Sequence, residues 1–575
     1  MIDRTGGGAA QLATILSNSL LNELRGGVIQ RTQANAPIGP PDPNGSFINI
    51  TGVANIGYNP LAKTETTEQS DQILDNITWT HGRSTLKAGF EFEHTGFDVF
   101  RSENRTFTFG GLPAANGRPA VSALNQYLNT LQHVVDPATG NPYTYTQFAW
   151  DGGDPTLNIG FNFVNFFVQD EYRFTKRLTL NVGLRYESIL FPNLDPNAPY
   201  PLSRKIDDDR KDFAPRVALS YRLTNDSKTM LRASYGMFYD VPPLSIFYNA
   251  ALVNGRHFLS YQVAGTDPLA PVFPNIPSAG LSSQIVAPNI NAFAPGFHNT
   301  YQHQANLQIQ RELPQGVVMT IGYNYAAQRH GLYSTNVNLG APVSYLADGR
   351  PVFGGPRVDP FFNQINLIES GGNTSYNALF VNLKRRLTKG LLVNVSWTWS
   401  HALANTLGEG GAIQDPTNLQ RDYGNAESDV RHYVVGQMLY EPHFKYSSMH
   451  WANGFELSST MLYNSGYPIN MTAGSDLNKD GNLNDRPLFV SRNGFTGPSI
   501  LQVDARLQRT FVLRDRYRLI GMFETENLLN STNASCSTTG GCTGAVISTA
   551  GAADFGRLTS ARTARNVQFG VKFTL

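Results

Sequence analysis

The chain has 575 residues, of which 41% are hydrophobic and only 15% charged, against about 25% charged in an ordinary soluble domain. A formal net charge of +1 supplies no global field to hold nucleic acid, and no basic run interleaves with stacking aromatics, which argues against a nucleic-acid partner. No stretch approaches the roughly 18 apolar residues of a membrane-spanning helix, whereas a mildly polar mean hydropathy of -0.27 is compatible with a barrel wall that turns an apolar residue to lipid at every second position.

In chain order, residues 1–70 come first. They begin MIDRTGGGAAQLATILSNSLLNELRGG, which is helix-like near Ala10 to Arg25, and continue through the Gly/Pro/Asn-rich APIGPPDPNGSF without a sustained period. They read as an irregular N-terminal segment or loop. Gln, Ser and Asn interrupt the apolar core that a secretory signal needs, so the expectation is an export signal upstream of residue 1.

Residues 71–575 repeat one pattern, strands of about 9 to 13 residues bounded by turn signals. STLKAGFEFEH sets Leu86, Ala88, Phe90 and Phe92 against Thr85, Lys87, Glu91 and Glu93, because successive side chains of a strand point to opposite faces. LTLNVGLRYES sets Leu178, Leu180, Val182, Leu184 and Tyr186 against Thr179, Asn181, Gly183, Arg185 and Glu187. VVMTIGYNYA carries Val317, Met319, Ile321, Tyr323 and Tyr325 on one face. In GLLVNVSWTWS, Leu391, Val393, Val395, Trp397 and Trp399 oppose Asn394, Ser396, Thr398 and Ser400; in LQVDARLQRTF, Leu501, Val503, Ala505 and Leu507 oppose Gln502, Asp504, Arg506 and Gln508.

Alternation alone does not separate a lipid-facing from a core-facing apolar face. Strand length does, since about 9 to 11 residues cross a bilayer when tilted, whereas ordinary strands run about 5 to 6. Trp and Tyr at strand ends and charged or amide side chains on nearly every polar face point the same way. So do the connections: TKR, LPQG and TKG are short turns, and the opposite ends carry loops of tens of residues, the asymmetry of an outer-membrane barrel whose short turns face the periplasm. The predicted fold is all-β, a large antiparallel transmembrane β-barrel with about 16 to 18 visible strands, in contact with outer-membrane lipid.

The segments DNITWTHGRSTLKAGFEFEH, FFVQDEYRFTKRLTLNVGLRYE, RELPQGVVMTIGYNYAAQRHGLY, SYNALFVNLKRRLTKGLLVNVSWTWSHAL, DVRHYVVGQMLYE and DLNKDGNLNDRP, in that order, resemble segments of Oar-like TonB-dependent outer-membrane receptors over about residues 72–575. The resemblance implies a 22-stranded barrel around a plug, preceded by a TonB box. It also implies import of a scarce small-molecule, saccharide or peptide ligand, driven through TonB, ExbB and ExbD. No plug or TonB box is visible, so the chain is expected to be the barrel portion of a longer receptor. A passive porin-like channel and a structural or adhesive protein displaying long loops are the alternatives, and a barrel enzyme is the weakest reading. The terminal RNVQFGVKFTL alternates Val567, Phe569, Val571, Phe573 and Leu575 against Gln568, Gly570, Lys572 and Thr574. It resembles the signal read by the barrel-assembly machinery, with Leu575 where that signal usually ends in Phe.

The segment with site chemistry is DLNKDGNLNDRP. Asp476, Asn478 and Asp480 alternate, Gly481 permits a sharp turn, and Asn482, Asn484 and Asp485 add oxygens, as in the first half of a calcium loop. Pro487 stands where the bidentate Glu belongs and no helices flank the segment, so an Asx-rich turn bonding its own backbone is the competing reading. Cys536 and Cys542 in CSTTGGC are expected to close a disulfide in an oxidising compartment, or else to be free thiols. His303, His330, His401 and His432 lack ligand spacing and read as ordinary lumen or interface residues. Glu91, Glu93, Glu524 and Glu526 are assigned to facing Lys and Arg across a wet lumen, and no catalytic residue is assigned. Ligand specificity is expected in the loops at about residues 102–160, 239–298, 340–372 and 401–428.

Overall fold

The computed structural model describes residues 2–35, 47–57, 64–101, 104–275, 287–406, 408, 410–445, 447–482, 484–513, 517–537, 541–542, 545–548 and 556–574; Leu575 and residues 538–540 of the cysteine loop lie outside them. Seventeen long strands form one antiparallel sheet: β1 (Ile2–Ser17), β2 (Leu20–Asn35), β3 (Thr64–His81), β4 (Ser84–Arg101), β5 (Thr156–Tyr172), β6 (Leu178–Leu190), β7 (Phe213–Arg222), β8 (Thr229–Tyr239), β9 (Tyr301–Leu313), β10 (Val317–Arg329), β11 (Thr374–Thr388), β12 (Leu391–Ala404), β13 (His432–Tyr440), β14 (Phe455–Asn464), β15 (Ile500–Leu513), β16 (Tyr517–Glu526) and β17 (Asn566–Thr574). Each pairs with the strand before and the strand after it in this order, and the two-residue strand Gly424–Asn425 adds to β12.

The register turns the alternation into continuous rows. From β6 to β15, Leu178, Tyr221, Leu231, Ile309, Ile321, Val381, Trp397, Val434, Tyr463 and Leu501 stand opposite one another in succession. Ten strands thus contribute ten apolar or aromatic side chains to one row, and Ile309 and Ile321 on it remain exposed. Nearer the long loops, Phe90, Phe166, Tyr186 and Phe213 form an aromatic row, with ring centroids 5.0 Å apart in both the Phe90–Phe166 and the Tyr186–Phe213 pairs. An exposed apolar band edged by aromatics is what hydrocarbon with a headgroup interface selects.

All turns at one end are short, from residues 18–19 and 82–83 to the longest at 441–454, and all long connections lie at the other end. β1 and β17 both run from the long-loop end toward the short-turn end. Among the described residues no hydrogen-bonded pairing joins them.

The structure corrects the reading of residues 1–70 as irregular and of Ala10 to Arg25 as helix-like. Ile2–Ser17 and Leu20–Asn35 are paired strands, and Thr64 onward belongs to β3. Glycine hid the pattern: Gly7 and Gly8 lie opposite Ile29 and Val28, and Ala9 and Ala10 lie opposite Gly27 and Gly26, so neither face shows alternation. A Cβ on Gly7 would stand 2.5 Å from the Val28 carbonyl oxygen, the close backbone approach that glycine permits.

The long loops build a folded cap. Phe258–Ala264, Gln147–Gly153, Asn104–Phe109, Phe47–Ile50 and Ala54–Gly57 make a five-stranded sheet over which Phe107, Phe109, Tyr145 and Phe148 are fully buried. Ile290–Phe293, Ile365–Gly372, Gly331–Asn336 and Gly411–Ala412 make a second sheet. There the helix Leu244–Leu252 stacks Phe247 on Phe293, with centroids 4.9 Å apart and an interplanar angle of 8°. Burying several aromatic rings in one cluster gives these loops a core of their own.

Candidate functional site

The face opposite the apolar rows is polar. One of its rows crosses β4 to β11 as Lys87, Gln169, Gly183, Arg216, Gly236, Gln304, Ala326 and Tyr376. These residues and their neighbours bound a cavity of about 720 Å³, within the size range of small-molecule sites. Lys87, Arg185 and Arg216 line it, and no Asp or Glu does. Arg185 is engaged: its guanidinium lies 3.0 Å from Glu91 and also pairs with Glu187. Arg216 instead lies 4.3 Å over the Phe238 ring. Gly236 makes room for that stack, since a Cβ there would stand 2.9 Å from the Phe238 ring and 3.3 Å from Arg216 Cγ.

A second cavity of about 580 Å³ lies along β12 to β17 and carries Asp504, Glu524 and Glu526 around Arg506, which pairs with Glu524 at 3.2 Å. The inner surface therefore divides into a cationic and an acidic part. Glu93 accepts hydrogen bonds from Ser70 (2.7 Å) and Thr95 (3.0 Å) rather than facing a cation.

At the long-loop end, the Asp/Asn segment occupies its own side chains. Asp476 accepts from the backbone N–H of Asp480 (3.2 Å) and Gly481 (2.9 Å), Asn478 Oδ1 from Asp480 N–H (3.1 Å), and Asp480 from Asn482 N–H (2.7 Å). Asp485 accepts from the N–H of Leu477 and Asn478 at 2.5 and 3.1 Å, while Asn484 donates to Ala412 O at 3.0 Å. The bonds from Asn478 to Asp480 and from Asp480 to Asn482 are Asx-turn bonds, and among the described residues no three His, Cys, Asp or Glu side chains converge as metal donors.

Beneath that turn lies a charge network that sequence spacing did not mark. Arg350, about 1% exposed, holds Asp485 and Asp348 at 2.9 Å each and donates to Arg486 O at 2.9 Å. Arg486 reaches Asp422 at 2.6 Å and Arg421 O at 2.8 Å, and Arg421 reaches Asp415 at 2.8 Å. Three of the loops thereby share one buried set of ion pairs. Arg486 lies within the quoted motif, but its partner Asp422 is 64 residues away, beyond any local pattern.

Burial pushes the Asp480 carboxyl up to about 7, with the Asn482 N–H offsetting only part of the shift. The folded state then holds a proton that the unfolded chain releases near pH 4, so this group's contribution to stability is greatest in acid and falls as pH rises from about 4 to about 7. The expected result is a cap more resistant to limited proteolysis at pH 5.5 than at pH 8, with the difference reduced in Asp480→Asn.

Cys536 and Cys542 are joined, and both are buried with Val430, Tyr467 and Ile500. Replacing both with Ser should cost about 2 kcal/mol from a loop this short, measurable as earlier proteolytic cleavage at residues 527–565. Each histidine singled out in the sequence has local partners. His303 Nδ1 lies 2.8 Å from Tyr235 Oη, His330 Nδ1 3.2 Å from Ser370 O and His401 Nδ1 3.2 Å from Asp429, while His432 stacks on Trp397.

The family model for the outer membrane beta barrel domain matches residues 3–491. The chain belongs to this outer membrane β-barrel family. Its place is accordingly the cell outer membrane, with the apolar rows in lipid. No curated protein matches the chain in sequence. In fold, the barrel is similar to the outer membrane transporter YddB from Escherichia coli (TM-score 0.54, 10% identity, 99% of this chain and 62% of that one). It is also similar to the FrpB iron transporter from Neisseria meningitidis (0.53, 12%, 99% and 64%) and to P. aeruginosa FpvA bound to heterologous pyoverdines (0.51, 12%, 99% and 55%). The barrel spans less than two thirds of the length of each.

Proposed function

We propose that this barrel is the transport part of a TonB-dependent receptor of the Oar-like type, binding a scarce nutrient at its cap and passing it along the inner face. The observation that carries the reading is the pairing of a folded, aromatic-cored cap at the long-loop end with a polar inner surface holding cavities of about 720 and 580 Å³. The likeness in fold to outer membrane transporters supports it. On this reading the cap faces outward, β17 engages the barrel-assembly machinery, and TonB with ExbB and ExbD supplies the energy only where a plug and a TonB box stand upstream of the barrel. The self-bonded Asp476–Asp485 turn serves as a latch of the cap; calcium, if it binds there, would displace the proton of Asp480 and abolish the pH dependence above.

The experiment is uptake by cells carrying the native gene, with and without a protonophore. Energy-dependent accumulation that stops with the protonophore supports the receptor. Uptake that equilibrates and ignores it supports the alternative, a passive porin-like channel, and surface attachment without uptake supports a structural or adhesive protein.

A further inference from the structure

We propose that the cationic cavity on the inner face binds the carboxylate or phosphate group of a solute, with Arg216 as the anchor and Lys87 as the second cation. This deepens the transport reading and rests on it. Two other arginines that line these cavities are paired, Arg185 with Glu91 and Arg506 with Glu524. Among the described residues Arg216 and Lys87 have no ion pair, and Arg216 Nε is buried without a hydrogen-bond partner.

A guanidinium is a planar fork that matches the two oxygens of a carboxylate or phosphate. Here the Phe238 ring packs 4.3 Å from the guanidinium carbon and restricts where the fork can lie, and the bare Cα of Gly236 leaves room for that contact. The orientation is therefore restricted before a ligand arrives, which lowers the ordering cost of binding. Lys87 stands on the same register row, and the amides of Gln169 and Asn181 line the same cavity, offering donors to hydroxyl or carbonyl groups beside the anion. No carboxylate lines the cavity, and the adjacent Glu91 and Glu187 are held by Arg185, whereas the acidic cavity of β12 to β17 repels an anion.

The test is calorimetric titration of the full chain, folded in detergent, with inorganic pyrophosphate and separately with citrate, at low and at high salt. Saturable binding of at least one probe is expected, weaker at high salt. It should weaken about tenfold or more in Arg216→Ala, as expected for losing a charge-assisted hydrogen-bond pair, and less in Arg216→Lys. Gly236→Ala, which keeps every charge but displaces Phe238, should also weaken it; Lys176→Ala in an exposed turn should not. Slow-to-fast migration of unheated samples checks that each variant is folded. Binding of neither probe, or equal loss in Lys176→Ala, overturns the anion site. That result leaves the transport reading standing, because protonophore-sensitive uptake is measured separately in cells; conversely, passive uptake with intact anion binding removes the receptor reading alone.

Discussion

Arg486→Ala is expected to unfold the cap while leaving the wall in place. The substitution removes the partner of Asp422, a side chain with no measurable exposure, and breaking a buried ion pair from one side costs about 3 to 5 kcal/mol because the remaining charge is stranded. The Asp422 side chain would keep one hydrogen bond, from the Gln414 N–H 2.7 Å away, with the buried Arg492 as its remaining nearby cation. Since Arg486 also donates to Arg421 O and its backbone oxygen accepts from Arg350, residues 340–357, 411–425 and 476–493 should become cleavable together. The expected readout is a new set of protease cuts in these loops, with the unheated band still migrating as a folded barrel. Arg486→Met, similar in length but uncharged, should be as damaging, which separates lost charge from lost volume.

The second large effect is expected in the wall. Val381 lies in the middle of the ten-residue apolar row, between Ile321 and Trp397, whereas its neighbour Asn382 lies inward, between Thr320 and Ser396. Val381→Arg should cost about 2 to 4 kcal/mol if the row is at the bilayer midplane. Asn382→Arg should cost far less, because the inner face is wet. Urea titrations of the two variants in lipid vesicles compare them directly, and a difference of several kcal/mol in favour of Asn382→Arg is the expected outcome.

How far the sequence reached depended on whether information was local. β6, β10 and β12 were legible because each carries five apolar residues in strict alternation. β1 and β2 were not, because runs such as Gly6 to Gly8 have no side chains with which to declare a face. In β13 the adjacent Val434 and Val435 defeat a period-two reading. The register decides it, placing Val434 opposite Trp397 and Tyr463 and Val435 opposite Ser396 and Leu462.

The cap was visible only as long loops. Its sheets join residues as distant as Phe47 and Thr106, or Ile290 and Ile365, pairings that no turn signal announces. The same distance hid the charge network, since Arg350 and Asp485 are 135 positions apart. The anion cavity was concealed differently: Lys87 and Gly183 were legible as inward-facing positions of one-sided strands, Arg216 lies on a strand that the alternation did not single out, and only the register sets the three in one row. The Asp/Asn segment was recognised as a tight oxygen-rich turn, and the contacts present are those of its Asx-turn reading.

The central claim is that one face of every strand meets lipid and the other meets water. Spin labels placed singly at residues 393 to 398 of β12, in the folded chain in lipid vesicles, test it most directly through collision with oxygen and with a water-soluble nickel chelate. Positions 393, 395 and 397 should be oxygen-accessible and 394, 396 and 398 nickel-accessible, with a period of two. Uniform accessibility, or the opposite phase, would contradict the account.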